Sequence, residues 1–96
     1  MKEKPFEKQV RKFLDAEECY HFKVWGGGYQ KAGLADLYIC VDGIFVAVEI
    51  KGENGKPTQL QLHELERINN AGGIGIVLYP KDFEEFKKLI HKLKGR

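Results

Sequence analysis

Two acidic residues and a lysine, Asp36, Glu49 and Lys51, have the types and spacing of a metal site. Glu49 and Lys51 stand two residues apart near the end of an apolar run, and Asp36 precedes another apolar run. Hard divalent cations such as Mg²⁺ prefer carboxylate oxygens and keep water molecules in their remaining positions. These residues could therefore hold a divalent cation, provided that the fold brings the two acids together.

The elements that must position the two acids are the strands of a predicted hairpin. The pair Asp42-Gly43 lies between two runs rich in β-branched and aromatic residues. This pattern predicts a type I′ turn, in which both central residues have positive φ. The turn pairs Val41 with Ile44, and the same register carried along the ladder pairs Asp36 with Glu49. Their Cβ atoms are expected to lie roughly 4.5–5.5 Å apart on one face of the sheet.

Two opposed carboxylates repel each other, so the pair requires a nearby cation. Lys51 could be that cation, which would make the three residues an ordinary ionic network at the protein surface. A divalent metal ion is the alternative. The strand around residues 44–50 is too apolar for a solvated edge, and an acid stands directly opposite Glu49. Both features favour the metal ion.

Length and composition indicate one small globular domain covering residues 1–96. Hydrophobic residues make up 43% and charged residues 31% of the chain, which is ordinary for a folded protein. A core of this size is close to the lower limit for independent stability, so a dimer would help. No apolar run reaches the roughly 18 residues that span a bilayer, and no leader is evident. Cys19 and Cys40 lack zinc-site spacing. We expect a cytoplasmic protein without a membrane contact.

The charge distribution permits a polyanionic partner without requiring one. The net charge is only +2, but lysine and arginine concentrate within residues 1–12 and 86–96. Such basic faces either serve solubility or neutralise phosphates. Tyr29 and Lys31, in a glycine-rich loop before Asp36, and Lys56, in the turn after Lys51, are candidate nucleic-acid contacts. A merely flexible loop is the alternative explanation for residues 26–33.

Periodicity predicts the order α-β-β-β-α-β-α. Helices are expected over residues 3–17 and 58–71 and at the C-terminal end, and strands over 20–25 and 74–79 beside the hairpin. The spacing of Thr58 and Gln61, and that of Asp82 and Glu85, predicts a capping box at two helix starts. The expected fold class is α/β, a mixed sheet with helices packed against it.

Four features of the chain occur in one order: Glu7 in the first helix, then Gly33-Leu34-Ala35-Asp36-Leu37, Glu49-Ile50-Lys51 and Thr58-x-x-Gln61. Together they resemble the VRR-NUC branch of the PD-(D/E)xK nuclease superfamily. The resemblance covers nearly the whole chain, although Ala35 stands where the family usually has proline. The resemblance implies the restriction-endonuclease-like fold and a metal-dependent DNA endonuclease. For single-domain members it also implies a homodimer that cuts branched DNA of the Holliday-junction kind.

The resemblance also implies a role for each residue. Asp36, Glu49 and the backbone carbonyl of Ile50 would hold one or two Mg²⁺ or Mn²⁺ ions. Glu7 would contribute directly or through a water molecule. Lys51 would orient the attacking water or neutralise developing charge, and Gln61 would position Lys51 or a phosphate.

Two other classes of function stay open. The chain could be a nuclease subunit that a larger phage or bacterial DNA-processing protein recruits, because 96 residues leave little room for target recognition. It could also be a catalytically silent DNA-binding module of the same fold. Such a module would have no need for Asp36, Glu49 and Lys51 together.

Overall fold

The hairpin at the centre of the chain forms with the predicted turn and register. In this computed structural model, Asp42 has φ 48° and Gly43 has φ 86°, so both central residues adopt the positive φ of a type I′ turn. The strands on either side are β2 (Leu37–Val41) and β3 (Ile44–Ile50). Val41 pairs with Ile44, as predicted.

The structure describes residues 1–25 and 32–95. Within them the hairpin belongs to a four-stranded mixed sheet, with β1 (Tyr20–Lys23) beside β2 and β4 (Ile74–Leu78) beside β3. β1 and β2 are antiparallel, as are β2 and β3, whereas β3 and β4 are parallel. The connection between the parallel pair contains a helix, as parallel strands require. The predicted order and mixed-sheet class are confirmed.

In the described part of the chain, three α-helices cover the two faces of the sheet: α1 (Glu3–Ala16), α2 (Gln59–Asn70) and α3 (Phe83–Lys94). The first and third bury Val10, Leu14 and Ile90 against the β3 side chains Val46 and Val48, forming the main core. No helix within residues 1–25 and 32–95 combines the length and apolar character needed to cross a membrane.

α2 packs on the opposite face through a second, smaller core. Leu65 of this helix is buried with Tyr38 and Ala47 of the sheet. Gly75 of β4 permits the close approach, because a Cβ at this position would lie 2.6 Å from the Leu65 carbonyl oxygen. The helix therefore lies close to the β3 and β4 end of the sheet.

Only one of the two predicted capping boxes forms. Thr58 Oγ1 accepts from the Gln61 backbone N–H, and the Gln61 side chain accepts from the Thr58 N–H. Asp82 makes no side-chain cap, so the second prediction is wrong. It is the last residue of a short 3-10 turn, Pro80–Asp82, and has φ −99° and ψ 4°. An N-cap residue normally has extended backbone, from which its side chain reaches the next turn.

Candidate active site

Glu49 is the one charged residue buried among those that the structure describes, with 2% of its surface exposed. Its Oε2 atom accepts a 2.8 Å hydrogen bond from Gln61 Nε2 and lies 3.2 Å from Lys51 Nζ. Its Oε1 atom is buried and has no hydrogen-bond partner within the described part of the chain. Burial, together with the nearby Asp36 charge, raises the pKa of Glu49 to about 7.

Asp36 lies at the start of the neighbouring strand and is held from both sides. Its backbone carbonyl accepts a 2.8 Å hydrogen bond from Val24 N–H. Its Oδ2 atom accepts another of 2.8 Å from the backbone N–H of Ile50. Burial raises the pKa of Asp36, and the Ile50 N–H opposes this by stabilising the carboxylate. Carried one position beyond β2, the hairpin register sets Asp36 opposite Glu49. The two acids are thus neighbours at one end of the sheet.

Lys51 and Gln61 both contact the carboxylate of Glu49. Lys51 follows Glu49 by two residues, directly after the end of β3, and 15% of its side chain is exposed. The Gln61 Oε1 atom accepts from Thr58 N–H, which turns Nε2 towards Glu49. The amide was expected to position Lys51 or a phosphate, but its observed contact is with the carboxylate. The capping box therefore also orients a side chain of the candidate site.

Glu7 has a different partner from the one that the resemblance implies. Its Oε1 atom lies 2.5 Å from Lys23 Nζ, and its Oε2 atom lies 4.0 Å from Arg11 Nη1. Only 12% of its side chain is exposed. Glu7 is still part of the electrostatic surroundings of Asp36, because its charge raises the pKa of Asp36. Its role as a metal ligand stays a prediction.

Sequence reasoning missed Lys23, which fell within the predicted strand over residues 20–25 and was given no role in the site. Its ammonium lowers the pKa of Asp36 and pairs with Glu7. Along β1, Lys23 and His21 alternate with exposed residues, and both contact α1. The sequence held no signal for the helix that packs there.

The donor set fits a Mg²⁺ ion and would not fit a metal that needs many protein ligands. Within residues 1–25 and 32–95, no group of three or more His, Cys, Asp or Glu side chains is arranged to hold a metal ion. Two carboxylates remain, one with an unsatisfied buried oxygen. Mg²⁺ commonly uses only one or two carboxylates and takes its other ligands from water and substrate phosphate. A cation at Oε1 would also remove the cost of that unpaired atom.

Comparison with known proteins identifies no family for this chain. The chain matches no protein-family model, no curated protein and no solved structure significantly. The resemblance to VRR-NUC nucleases therefore rests on the quoted residues and their spacing.

Of the three predicted nucleic-acid contacts, only Lys56 lies within the described residues. It lines an open groove of about 940 Å³ together with Tyr79 and Lys81. The Tyr79 hydroxyl donates a 3.0 Å hydrogen bond to the Gly55 carbonyl oxygen, which joins the loop after Lys51 to the end of β4. Tyr29 and Lys31 lie outside the described residues.

The basic C-terminal helix is partly neutralised by acids. Lys87 Nζ lies 3.1 Å from Glu84 Oε2, and Lys94 Nζ lies 3.5 Å from Glu17 Oε1. These pairs fit the solubility interpretation of the lysine-rich face as well as the phosphate interpretation.

Proposed function

We propose that this chain is a metal-dependent DNA endonuclease of the VRR-NUC and PD-(D/E)xK type. The observation that carries the proposal is the burial of Glu49 together with its hydrogen-bond contacts. It is a buried carboxylate, held by Lys51 and Gln61 beside Asp36, and its second oxygen lacks a partner among the described residues. A group arranged only for stability would not leave a buried charged oxygen unsatisfied, since this costs about 1–3 kcal/mol or more.

Each residue then has a role that its contacts permit. Asp36 and Glu49, with the backbone carbonyl of Ile50, would hold Mg²⁺ or Mn²⁺. Such an ion would polarise the scissile phosphodiester and would lower the pKa of a bound water molecule. Lys51 can orient the attacking water or neutralise negative charge that develops on the phosphate. Gln61 fixes the rotamer of Glu49. We propose that the protein acts on DNA in the cytoplasm.

The direct test is cleavage by the purified chain. Branched, flapped and linear DNA are incubated with Mg²⁺ or Mn²⁺, using the parent, Glu49→Gln and Lys51→Met. We expect the parent to cut branched DNA and each variant to lose at least about 100-fold in rate, as for loss of a group acting on transition-state charge. Glu85→Gln and Lys88→Met are matched controls, since these residues form an exposed pair. Parental rates in Glu49→Gln or Lys51→Met would reject the assigned roles.

The alternatives give different results in the same assay. A silent DNA-binding module would bind DNA and cut none of the substrates with either metal. A subunit that needs a larger partner would cut only after that protein is added.

We also propose that the chain acts as a homodimer through the open part of its sheet. Within the described residues, Tyr20, Phe22 and Phe45 are 71%, 48% and 49% exposed on the face that α2 covers only in part. The rings of Phe22 and Phe45 flank Tyr38, with centroids 5.6 Å and 5.5 Å from that of Tyr38. The Tyr20 ring lies beside Phe22, at a centroid distance of 6.4 Å. We call these four residues the aromatic face.

A second copy is a suitable partner for the aromatic face. The three exposed rings present roughly 300–400 Å² of accessible apolar surface. This area is similar to that of the largest exposed apolar patch on a typical monomer. A stable dimer buries about 800 Å² on each subunit, so the rings would form the centre of the interface. Sedimentation equilibrium tests this directly, and a monomer at micromolar concentration would reject it.

A further inference from the structure

Lys23 and Glu7 form an ion pair that differs from the surface pairs of this protein. Their side chains are only 18% and 12% exposed, whereas those of Lys88 and Glu85 are 76% and 77% exposed. The Lys23 ammonium also lies 5.1 Å from the centre of the Trp25 ring. Two side chains held in this way are ordered by the fold, unlike most exposed pairs, which gain little from their contact.

The pair adjoins the candidate active site on the Asp36 side. Lys23 is the last residue of β1, and the next residue, Val24, donates its N–H to the Asp36 carbonyl. In the β1–β2 register, Lys23 pairs with Leu37, the residue directly after Asp36. Lys51 stands beside Glu49. The two acids therefore have one lysine on the β1 side, Lys23, and another beside Glu49, Lys51.

The contacts of Glu7 argue against direct coordination of a metal ion. One of its oxygens is at hydrogen-bond distance from an ammonium group, and the other faces the Arg11 guanidinium at 4.0 Å. A divalent cation bound to the same carboxylate would be repelled by both positive groups at short range. Glu7 is satisfied by the protein itself, in contrast to Glu49, whose Oε1 atom has no partner in the described chain.

A phosphate approaching Asp36 and Glu49 meets two like charges, and Lys51 lies on only one side of them. We propose that Lys23 is a second phosphate-binding cation of this site, and that Glu7 is the positioning residue that holds it there. Lys23 would contact a DNA phosphate on the Asp36 side of the scissile bond. Glu7 would act through Lys23 and would stay outside the metal coordination. This inference rests on the proposed nuclease function. It adds one DNA-contacting residue and states on which side of the acids the bound strand continues.

The experiment compares Lys23→Met, Lys23→Arg, Glu7→Gln and the double variant Glu7→Gln/Lys23→Met with the parent. The double variant guards against misfolding, because Lys23→Met alone leaves the Glu7 charge without its nearest partner. Affinity for branched DNA is measured by fluorescence anisotropy with Ca²⁺ in place of Mg²⁺, as a function of salt. Mn²⁺ binding to the DNA-free protein is measured by electron paramagnetic resonance.

We expect Lys23→Met to weaken DNA binding 3- to 10-fold and to reduce the slope of log affinity against log salt by about 1, the loss of one phosphate contact. Lys23→Arg should keep both. Glu7→Gln should weaken DNA binding less, and the double variant should be no weaker than Lys23→Met. Mn²⁺ affinity should change less than 2-fold in Glu7→Gln and fall at least 10-fold in Glu49→Gln.

Two results would overturn the inference alone. One is parental DNA affinity and salt slope in both Lys23→Met and the double variant. The other is a loss of Mn²⁺ affinity in Glu7→Gln as large as that in Glu49→Gln, which would make Glu7 a ligand. If the parent binds no DNA of any structure, the proposed function fails and this inference fails with it.

Discussion

Replacing Glu49 by glutamine should make the metal-free protein more stable and remove its activity. The substitution keeps the shape of the side chain and removes a charge that is 2% exposed. The pKa of this carboxyl group rises from 4.5 to about 7 on folding. At about 1.4 kcal/mol for each pH unit, ionising Glu49 costs about 3 kcal/mol more in the folded protein than in the unfolded chain.

The sign of the pH dependence follows from this difference. Between pH 4.5 and 7 the folded protein holds the Glu49 proton more tightly than the unfolded chain does. The free energy of unfolding of the parent should therefore decrease as pH rises through this range, and level off above about pH 7. Glutamine has no proton to lose, so this part of the pH dependence should disappear in Glu49→Gln.

The assay is urea unfolding followed by circular dichroism, with a chelator present, at pH 5 and pH 8. We expect Glu49→Gln to exceed the parent by about 1–3 kcal/mol at pH 8 and by much less at pH 5. The expected gain in stability can fall below the full cost of about 3 kcal/mol, because the substitution also removes the anionic partner of Lys51. Glu84→Gln, at a side chain that is 78% exposed, is the control and should change stability by less than about 0.5 kcal/mol.

Adding Mg²⁺ distinguishes a cation-binding site from a buried acid that binds no metal ion. At pH 8, millimolar Mg²⁺ should stabilise the parent by mass action and leave Glu49→Gln unchanged. A variant that is less stable than the parent at pH 8, or that cuts branched DNA at the parental rate, would refute the reasoning.

Three further substitutions test separate parts of the structure. Gln61→Glu keeps the helix cap but places a further acid 2.8 Å from Glu49. The pH–rate profile should therefore shift to higher pH, and the free energy of unfolding in urea at pH 8 should fall by about 1–2 kcal/mol. Gly75→Ala brings a methyl group 2.6 Å from a backbone oxygen of α2, and urea unfolding should show a loss of about 2–3 kcal/mol. The pair Phe22→Glu and Phe45→Glu should convert the proposed dimer to a monomer in sedimentation equilibrium, with unchanged far-ultraviolet circular dichroism; a persistent dimer would place the interface elsewhere.

Local chemistry explains which parts of the fold could be predicted. The turn at Asp42-Gly43 follows from the backbone freedom of two adjacent residues, and it fixes the register of the hairpin without tertiary information. The capping box of Thr58 and Gln61 is equally local and forms. The same spacing at Asp82 fails because Pro80 begins a 3-10 turn just before the helix, which sets a backbone geometry that the four-residue motif does not encode.

The parts that could not be predicted depend on packing between distant elements. Lys23 and Glu7 meet because α1 lies across β1, and their separation of 16 residues in sequence gives no sign of this. The hydrogen bond from Gln61 to Glu49 likewise requires the docking of α2 on the sheet, although both residues were expected in the site. Periodicity shows which side of an element is apolar, but not which neighbouring element it meets.

The surface-network alternative for Asp36, Glu49 and Lys51 can now be weighed against the metal site. An ionic network of the ordinary kind is exposed and contributes 0–1 kcal/mol, whereas Glu49 is buried and its ionisation is opposed by about 3 kcal/mol. Lys51 compensates only one oxygen of this carboxylate, and Asp36 raises the cost further. If Glu49→Gln is the more stable protein at pH 8, as we expect, the buried acid serves a property other than stability. The property that we propose for the two neighbouring acids is the binding of a divalent cation.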